Sequence, residues 1–202
     1  TTLGQGSFLN CSSLQSVTIP DSVTTLYSYA FYNCSSMVSV SISNSITKIG
    51  REAFDGCSSL LSVTIPDNVT ELEQEAFDNC TSLNSVTIGN NLSIIGYAAF
   101  RNSNLTTVTL PDTITVIGGN AFQGSNLTTV YISSTGASGA GLTIGSTVTL
   151  GGKENVQILE IVTEPEAEAE AEAEAEAEAG NQFYVYQTSG GELEYINRNP
   201  PP

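Results

Sequence analysis

The chain has 202 residues, of which 40% are hydrophobic, enough to build a packed interior; its formal net charge is −16, with 5 Lys+Arg against 21 Asp+Glu and no histidine. With no basic patch, nucleic acid and anionic membrane surfaces are poor partners; no apolar run reaches spanning length, which speaks against direct membrane insertion, and no signal peptide is visible. Half of the charge is local, since eight glutamates lie between Glu164 and Glu178, while residues 1–132 carry nine acids against Lys48, Arg51 and Arg101.

Phe8, Phe31, Phe54, Phe77, Phe100 and Phe122 mark one position in six copies of a repeat, spaced by 23, 23, 23, 23 and 22 residues. Recurring apolar columns at such a period specify a solenoid, in which each coil buries its core only against its neighbours. Leu14, Met37, Leu60, Leu83, Leu105 and Leu127 open a strand in each copy. Val17, Val40, Val63, Val86, Val108 and Val130 follow, then Ile19, Ile42, Ile65, Ile88, Leu110 and Ile132 two residues later. Period-two spacing of β-branched residues predicts one strand per coil and, by stacking, one parallel sheet. Turn formers come next, as Pro20-Asp21, Pro66-Asp67 and Pro111-Asp112, with Ser43-Asn44 and Gly89-Asn90 in the other copies. A second apolar pair (Val23 with Leu26, Ile46 with Ile49, Val69 with Leu72, Leu92 with Ile95, Ile114 with Ile117) leads into an Ala-Phe step. That step is expected as one helical or 3₁₀ turn with Phe at the coil centre. Two residues beyond Phe the column reads Asn10, Asn33, Gly56, Asn79, Asn102 and Gly124, and interchange of Asn with Gly alone marks a left-handed backbone position. Copies five and six lose one residue between Phe and Leu, a deletion assigned to a loop.

Cys11, Cys34, Cys57 and Cys80 share a column with Ser103 and Ser125. Stacked Cβ atoms about 5 Å apart miss the ~3.8 Å that a disulfide prefers, and Ser replaces Cys in two copies, so a ladder of free, buried thiols is expected. Without histidine or a CxxC pair, no metal site or cofactor is expected. The whole frame, complete from Ile49 to Pro66, is Ile-Gly-x-x-Ala-Phe-x-x-Cys-x-x-Leu-x-x-Val-x-Ile-Pro. It resembles the BspA-like class of leucine-rich repeats, found in bacterial surface antigens and in surface and secreted proteins of some protists and large viruses. The resemblance implies a repeat solenoid, a right-handed coil, mainly β with short helical or 3₁₀ turns. It also implies an extracellular or cell-surface location and a role in adhesion or partner binding. It carries no fixed catalytic or binding residues across.

Residues flanking the inward Val point outward on the sheet. They form two hydroxyl columns, Ser16, Ser39, Ser62, Ser85, Thr107, Thr129 and Thr18, Ser41, Thr64, Thr87, Thr109, Tyr131. As a solvated lattice this face suits weak, multivalent contact with glycans or another polar surface, and only Tyr131 among these residues is an anchor of the kind that dominates protein interfaces. Ice binding is a minor alternative, opposed by the many Ser residues, which lack the Thr methyl. The turn column Asp21, Asn44, Asp67, Asn90, Asp112 is read as turn chemistry rather than calcium ligation. Glu71, Glu73 and Glu75 are read as a solvated edge rather than paired catalytic carboxylates. Variation between copies concentrates just before Ala-Phe, which brings Tyr27, Tyr29, Arg51 and Tyr97 to a second candidate surface. Asn68, Asn91, Asn104 and Asn126 fit the N-glycosylation acceptor pattern, a match that small polar residues make common by chance.

After Ile132 the period stops. Small residues 133–141 precede two strand-like runs, Leu142–Leu150 and Val156–Val162, about a turn at Gly151–Asn155, and residues 133–162 are expected to cap the solenoid. Alternating Glu and Ala within residues 163–180 predict an acidic spacer, disordered or partly helical. Residues 181–202 read as a β-hairpin or the start of another module with a Pro tail. The array itself occupies residues 1–132 and opens in mid-repeat, so the chain is expected to be an N-terminally truncated part of a longer one.

No nucleophile elbow, phosphate loop or metal cluster is present, so no enzyme is expected. The expectation is a non-enzymatic surface or secreted adhesion module recognising glycan or protein on a surface. The candidate binding surface is Tyr27, Tyr29, Arg51, Tyr97, Thr18, Thr64, Thr87, Thr109 and Tyr131. The alternative is a structural spacer or assembly element of a surface appendage or virion, in which stacking is the function.

Overall fold

Each repeat of the computed structural model pairs with the next in parallel, like residue against like residue. Residues 1–133, 147–163, 183–187 and 193–197 are described. The strands read from the sequence are β2 (Ser16–Thr18), β4 (Ser39–Ser41), β6 (Ser62–Ile65), β8 (Ser85–Ile88), β10 (Thr107–Thr109) and β12 (Thr129–Ser133). Their register follows the repeat, with Val17 opposite Val40, Val63 opposite Val86 and Val108 opposite Val130.

A second, narrower ladder accompanies them. The second member of each apolar pair and the residue before it form a two-residue strand: β3 (Thr25–Leu26), β5 (Lys48–Ile49), β7 (Glu71–Leu72), β9 (Ile94–Ile95) and β11 (Val116–Ile117), with β1 (Thr2–Leu3) at the equivalent place in the first copy. These six run as one continuous parallel sheet. At most one residue of each strand is buried, too little periodicity to announce a strand in the sequence.

The Ala-Phe step is not helical; among the described residues there is no helix. Left-handed residues bracket each Phe. The expected ones follow it by two (Asn10, Asn33, Gly56, Asn79, Asn102, Gly124), and a second set precedes it by two (Gly6, Tyr29, Glu52, Glu75, Ala98, Asn120). Two left-handed positions four residues apart forbid a continuous helical turn. The backbone instead alternates its bonding. Tyr29, Phe31 and Asn33 donate N–H to Arg51, Ala53 and Asp55 of the next coil, while Ala30, Tyr32 and Cys34 donate back three residues within their own. The earlier set carries almost any side chain, and for that reason left no mark in the sequence.

This geometry places the six Phe rings in a stack, with centroids 5.1 to 5.7 Å apart and planes within 11° of parallel. Every ring from Phe31 onward is fully buried, as are the Ala beside it and the Leu or Met that opens each strand. Burial of such residues, at ~1.5–3 kcal/mol each, is the main force holding coil to coil. All four cysteines are free; Cys34, Cys57 and Cys80 are buried and Cys11 is exposed. Each buried thiol donates to the Phe carbonyl one coil back at 3.1 to 3.2 Å, and burial pushes the Cys57 thiol up to about 12.

The strand sheet is broken once: β2-β4-β6-β8 is one sheet and β10 begins another. That break falls where the fifth copy lacks its residue. Before it, Leu61 donates to Val38 and Asn84 to Leu61, all at the same repeat position; at the step, Asn104 donates to Leu83 instead. Like-to-like pairing returns with Thr128 on Thr106.

Beyond β12, the strand β14 (Lys153–Thr163) continues the coil direction, parallel to β12 with Thr129 opposite Gln157. The strand β13 (Thr147–Leu150) folds antiparallel onto the first half of β14. The connection is tighter than expected, with only Gly151 and Gly152 between the strands, both at positive φ. Gly151 accepts the Phe122 N–H at 2.9 Å, the bond that each earlier Phe gives to the next coil's Ala. The C-terminal hairpin forms as β15 (Phe183–Gln187) and β16 (Leu193–Asn197). Its first strand pairs parallel with the end of β14, so its backbone prolongs the sheet rather than starting apart from it. The small residues at 134–146, including the start of the Leu142–Leu150 run, and the acidic spacer from 164 to 180 lie outside the described residues.

Candidate functional site

The two candidate surfaces occupy different parts of the coil. On the strand sheet, Thr18, Thr64, Thr87 and Thr109 are exposed as expected. Tyr131 is not: it is 2% accessible and belongs to the interior. Its strand β12 is paired along both edges, with β10 on one side and β14 on the other; a cap was expected here, but not that this ring would be covered. The hydroxyl face therefore has no aromatic anchor, and its regularity is interrupted between β8 and β10.

The turns around Ala-Phe form the second surface. The residue two before Phe is left-handed and half-buried, or buried at Ala98, while the residue before it is exposed at Arg51, Tyr97 and Gly119, so positions that vary between copies stand in columns across coils. Tyr27 and Tyr97 are exposed at 46% and 43%. Tyr29 is half-buried; its hydroxyl donates to Glu52 at 3.3 Å and its ring meets Tyr32 edge-on at 5.8 Å. Arg51 is exposed but committed, with Nε 2.8 Å from Glu52 and a terminal nitrogen 3.4 Å from Glu75. Of the four sequence-derived residues here, Tyr27 and Tyr97 present free ring surface, while Tyr29 and Arg51 join an internal polar network.

That network extends further than the sequence indicated. Lys48 pairs with Glu73 at 2.6 Å. Arg101 grips Asp78, its Nε 3.1 Å from both carboxylate oxygens, and reaches Glu75 at 3.6 Å. Asp78 is 1% accessible, so the bidentate guanidinium offsets the cost of burying its charge. Asp55 sits in the same column one coil earlier and has no ion-pair partner among the described residues; it accepts from Asn79 Nδ2 at 3.0 Å. Burial, with Asp78, Glu52 and Glu75 nearby, raises the Asp55 carboxyl to about 6, and the charge on Asp55 holds the Tyr32 phenol above its usual range. The signal for this network was present, since Asp55, Asp78 and Arg101 share the position after Phe, but a column of mixed charges reads as ordinary surface until its burial is known.

The turn acids have internal partners. Asp21 accepts from the Ser43 hydroxyl at 2.6 Å, and Asp67 from the Asn90 N–H at 2.7 Å. Glu71 and Glu73 lie apart, one exposed and one paired with Lys48. No helix among the described residues is long and apolar enough to cross a membrane.

A family model for the BspA type leucine rich repeat region matches residues 1–136 in 6 copies. Among solved structures, a leucine-rich repeat protein of T. pallidum is 28% identical with a TM-score of 0.59, covering 72% of this chain and 73% of that one. A leucine-rich cell surface protein of Faecalibacterium prausnitzii is 34% identical with a TM-score of 0.51, covering 65% of this chain and 42% of that one. The pneumococcal vaccine antigen PcpA shares the fold at 23% identity and a TM-score of 0.58, covering 67% and 36%. The chain thus spans less than half of the length of the last two. No curated protein matches the sequence. Six coils with one Phe stack, one thiol column and two short parallel strands per repeat, matched along two-thirds of the chain, place this protein in the BspA-type leucine-rich repeat family.

Proposed function

We propose that this protein is a non-enzymatic binding module, displayed on a cell surface or secreted, that adheres to a glycan or protein through the turn edge of its repeats. The observation that carries this reading is where the coils differ. The strand face repeats Ser and Thr from coil to coil, whereas the turn edge changes from Tyr27 and Tyr29 through Arg51 and Glu75 to Tyr97, with two exposed rings. A surface that recognises something needs such distinct anchors, aromatic and Arg above all. Membership in the family and likeness to a cell surface protein at 34% identity support the location.

A structural spacer is the second reading, favoured by the uniformity of the hydroxyl face, which gives every coil the same outer contact. The two separate in one experiment. The full chain is presented to immobilised oligosaccharides and extracellular matrix proteins beside a Tyr27→Ala/Tyr97→Ala variant of equal thermal stability. Saturable binding that drops at least tenfold in the variant is the adhesion outcome. A folded protein that binds nothing in either panel refutes adhesion and leaves the spacer.

A further inference from the structure

Tyr97 differs from the other exposed side chains in how it is held. Its phenol oxygen accepts a hydrogen bond from Asn120 Nδ2 of the next coil at 3.0 Å. Its ring edge lies against Gly119, where an added Cβ would stand 3.7 and 3.9 Å from two ring carbons. The neighbouring Gly118 allows no side chain at all, since a Cβ there would come within 2.6 Å of the Gly96 and Tyr97 backbone. Two glycines thus let the sixth coil lie flush beneath the ring, and Asn120, itself left-handed at φ 59°, clamps the far end. The ring is fixed at both ends and is still 43% accessible. Its surroundings are polar and planar: the Asn120 amide, the Arg101 guanidinium within electrostatic reach, and the Glu75 carboxylate bonded to Arg101.

Resting on the adhesion reading above, we infer that Tyr97, with Asn120 and Arg101, is a saccharide subsite in which a pyranose stacks its C–H face on the ring. The choice of ligand follows from the chemistry. A protein hot spot is a side chain that the partner surrounds on every side, whereas this ring is tied to Asn120 at its hydroxyl and seated against Gly119 at its edge, which leaves an open face rather than a knob for a partner's pocket. A pyranose is apolar on its face and hydroxylated on its rim, which matches an aromatic surface bordered by an amide, a guanidinium and a carboxylate. A ring that is already immobilised loses no rotamer freedom on binding. Nothing covalent is involved.

The chain contains no tryptophan, which makes the test direct. In the full chain, Tyr97→Trp installs a single indole at the platform, and Val38→Trp installs one on the exposed strand side of the second repeat. Each is titrated with methyl glycosides and oligosaccharides ending in glucose, galactose, mannose or N-acetylglucosamine. At least one sugar is expected to shift or quench Tyr97→Trp emission saturably while Val38→Trp stays unchanged. In saturation-transfer NMR, Tyr97→Ala should lose at least tenfold in affinity for that sugar, and Tyr97→Phe, which keeps the ring and drops the Asn120 clamp, a few-fold. The inference is overturned if no sugar binds the unaltered chain, or if one binds Tyr97→Ala as well as it binds the unaltered chain. Capture of a matrix protein with no sugar binding would sink this subsite and leave the adhesion reading standing; binding of neither would end both.

Discussion

Ser103 is the one buried hydroxyl among the described residues left without a hydrogen bond, and its column explains why. Where the slot holds Cys, the long C–S bond carries the donor to the Phe carbonyl one coil back; a Ser oxygen stops short. Ser125 escapes by turning onto its own coil, donating to Phe122 O at 2.6 Å and accepting from the Leu127 N–H at 3.3 Å. The same substitution should then have opposite effects. Ser103→Ala removes an unsatisfied polar group and should hold or raise stability by up to ~1 kcal/mol, whereas Ser125→Ala should cost ~1 kcal/mol or more, both read from denaturant midpoints. Equal losses at both sites would show that Ser103 has a partner after all. Asp55 makes a second residue-scale case. Its carboxyl keeps its proton to about pH 6 in the folded chain but only to ~3.9 when unfolded. Its contribution to stability is therefore lost as pH rises from about 4 to about 6, and the deficit persists above that. Asp55→Asn keeps an acceptor for Asn79 and sheds the charge, so it should stabilise by roughly 2 kcal/mol at pH 7.5 and by almost nothing at pH 4. A pH-independent difference between variant and parent would refute this assignment.

Between β8 and β10 the elements themselves part company. Deletion of one residue, exchange of Cys for Ser, the orphan hydroxyl and the interrupted strand ladder all fall at this step, and beyond it the Phe spacing widens from 5.1 Å at Phe54–Phe77 to 5.6 and 5.7 Å. Amides of β8 and β10 that face each other should exchange with solvent at least tenfold faster than those between β6 and β8, a difference of ~1.4 kcal/mol in local opening. Equal protection would mean the ladder is intact in solution. The deletion was plain in the sequence; its effect was not, because a residue lost from a loop matters only once the register of the next strand is known. The same distinction runs through the fold. Columns with one chemical solution, such as Phe, Ala-Phe and Asn/Gly, were legible. The left-handed set at Tyr29, Glu52, Glu75, Ala98 and Asn120 was not, since tertiary packing imposes that backbone on residues that do not ask for it. At the site, the exposure of Tyr27 and Tyr97 followed from their variability, whereas the burial of Tyr131 left no mark in its column, which ends where β12 pairs with a strand 28 residues further along the chain.

At the scale of the whole molecule, stability in a solenoid passes only between neighbours, so the strands that adjoin the last coil should govern what lies next to them. Gly151 makes one of those contacts, accepting from Phe122. Its backbone stands at φ +51°, and a Cβ would lie 2.9 Å from the Ala121 methyl and 3.1 Å from the Phe122 nitrogen. Gly151→Val would force the β13–β14 turn away from the last coil and strand the Phe122 N–H. A left-handed β-branched residue and one orphaned buried donor together cost roughly 2–4 kcal/mol. That cost should not spread evenly. Coils five and six depend on the cap at one side and on the interrupted β8–β10 step at the other, so they should open as a unit while β2, β4 and β6 keep their protection. Native-state hydrogen exchange on Gly151→Val should therefore show amides from about residue 104 to 132 losing protection together, with those of residues 16–65 close to the parent's. Uniform loss along the whole chain would show that the Phe stack and the unbroken second ladder couple all six coils into a single cooperative unit. Protection retained even in coil six would show that the turn at Gly151 is ornamental to stability and that β14 alone closes the end.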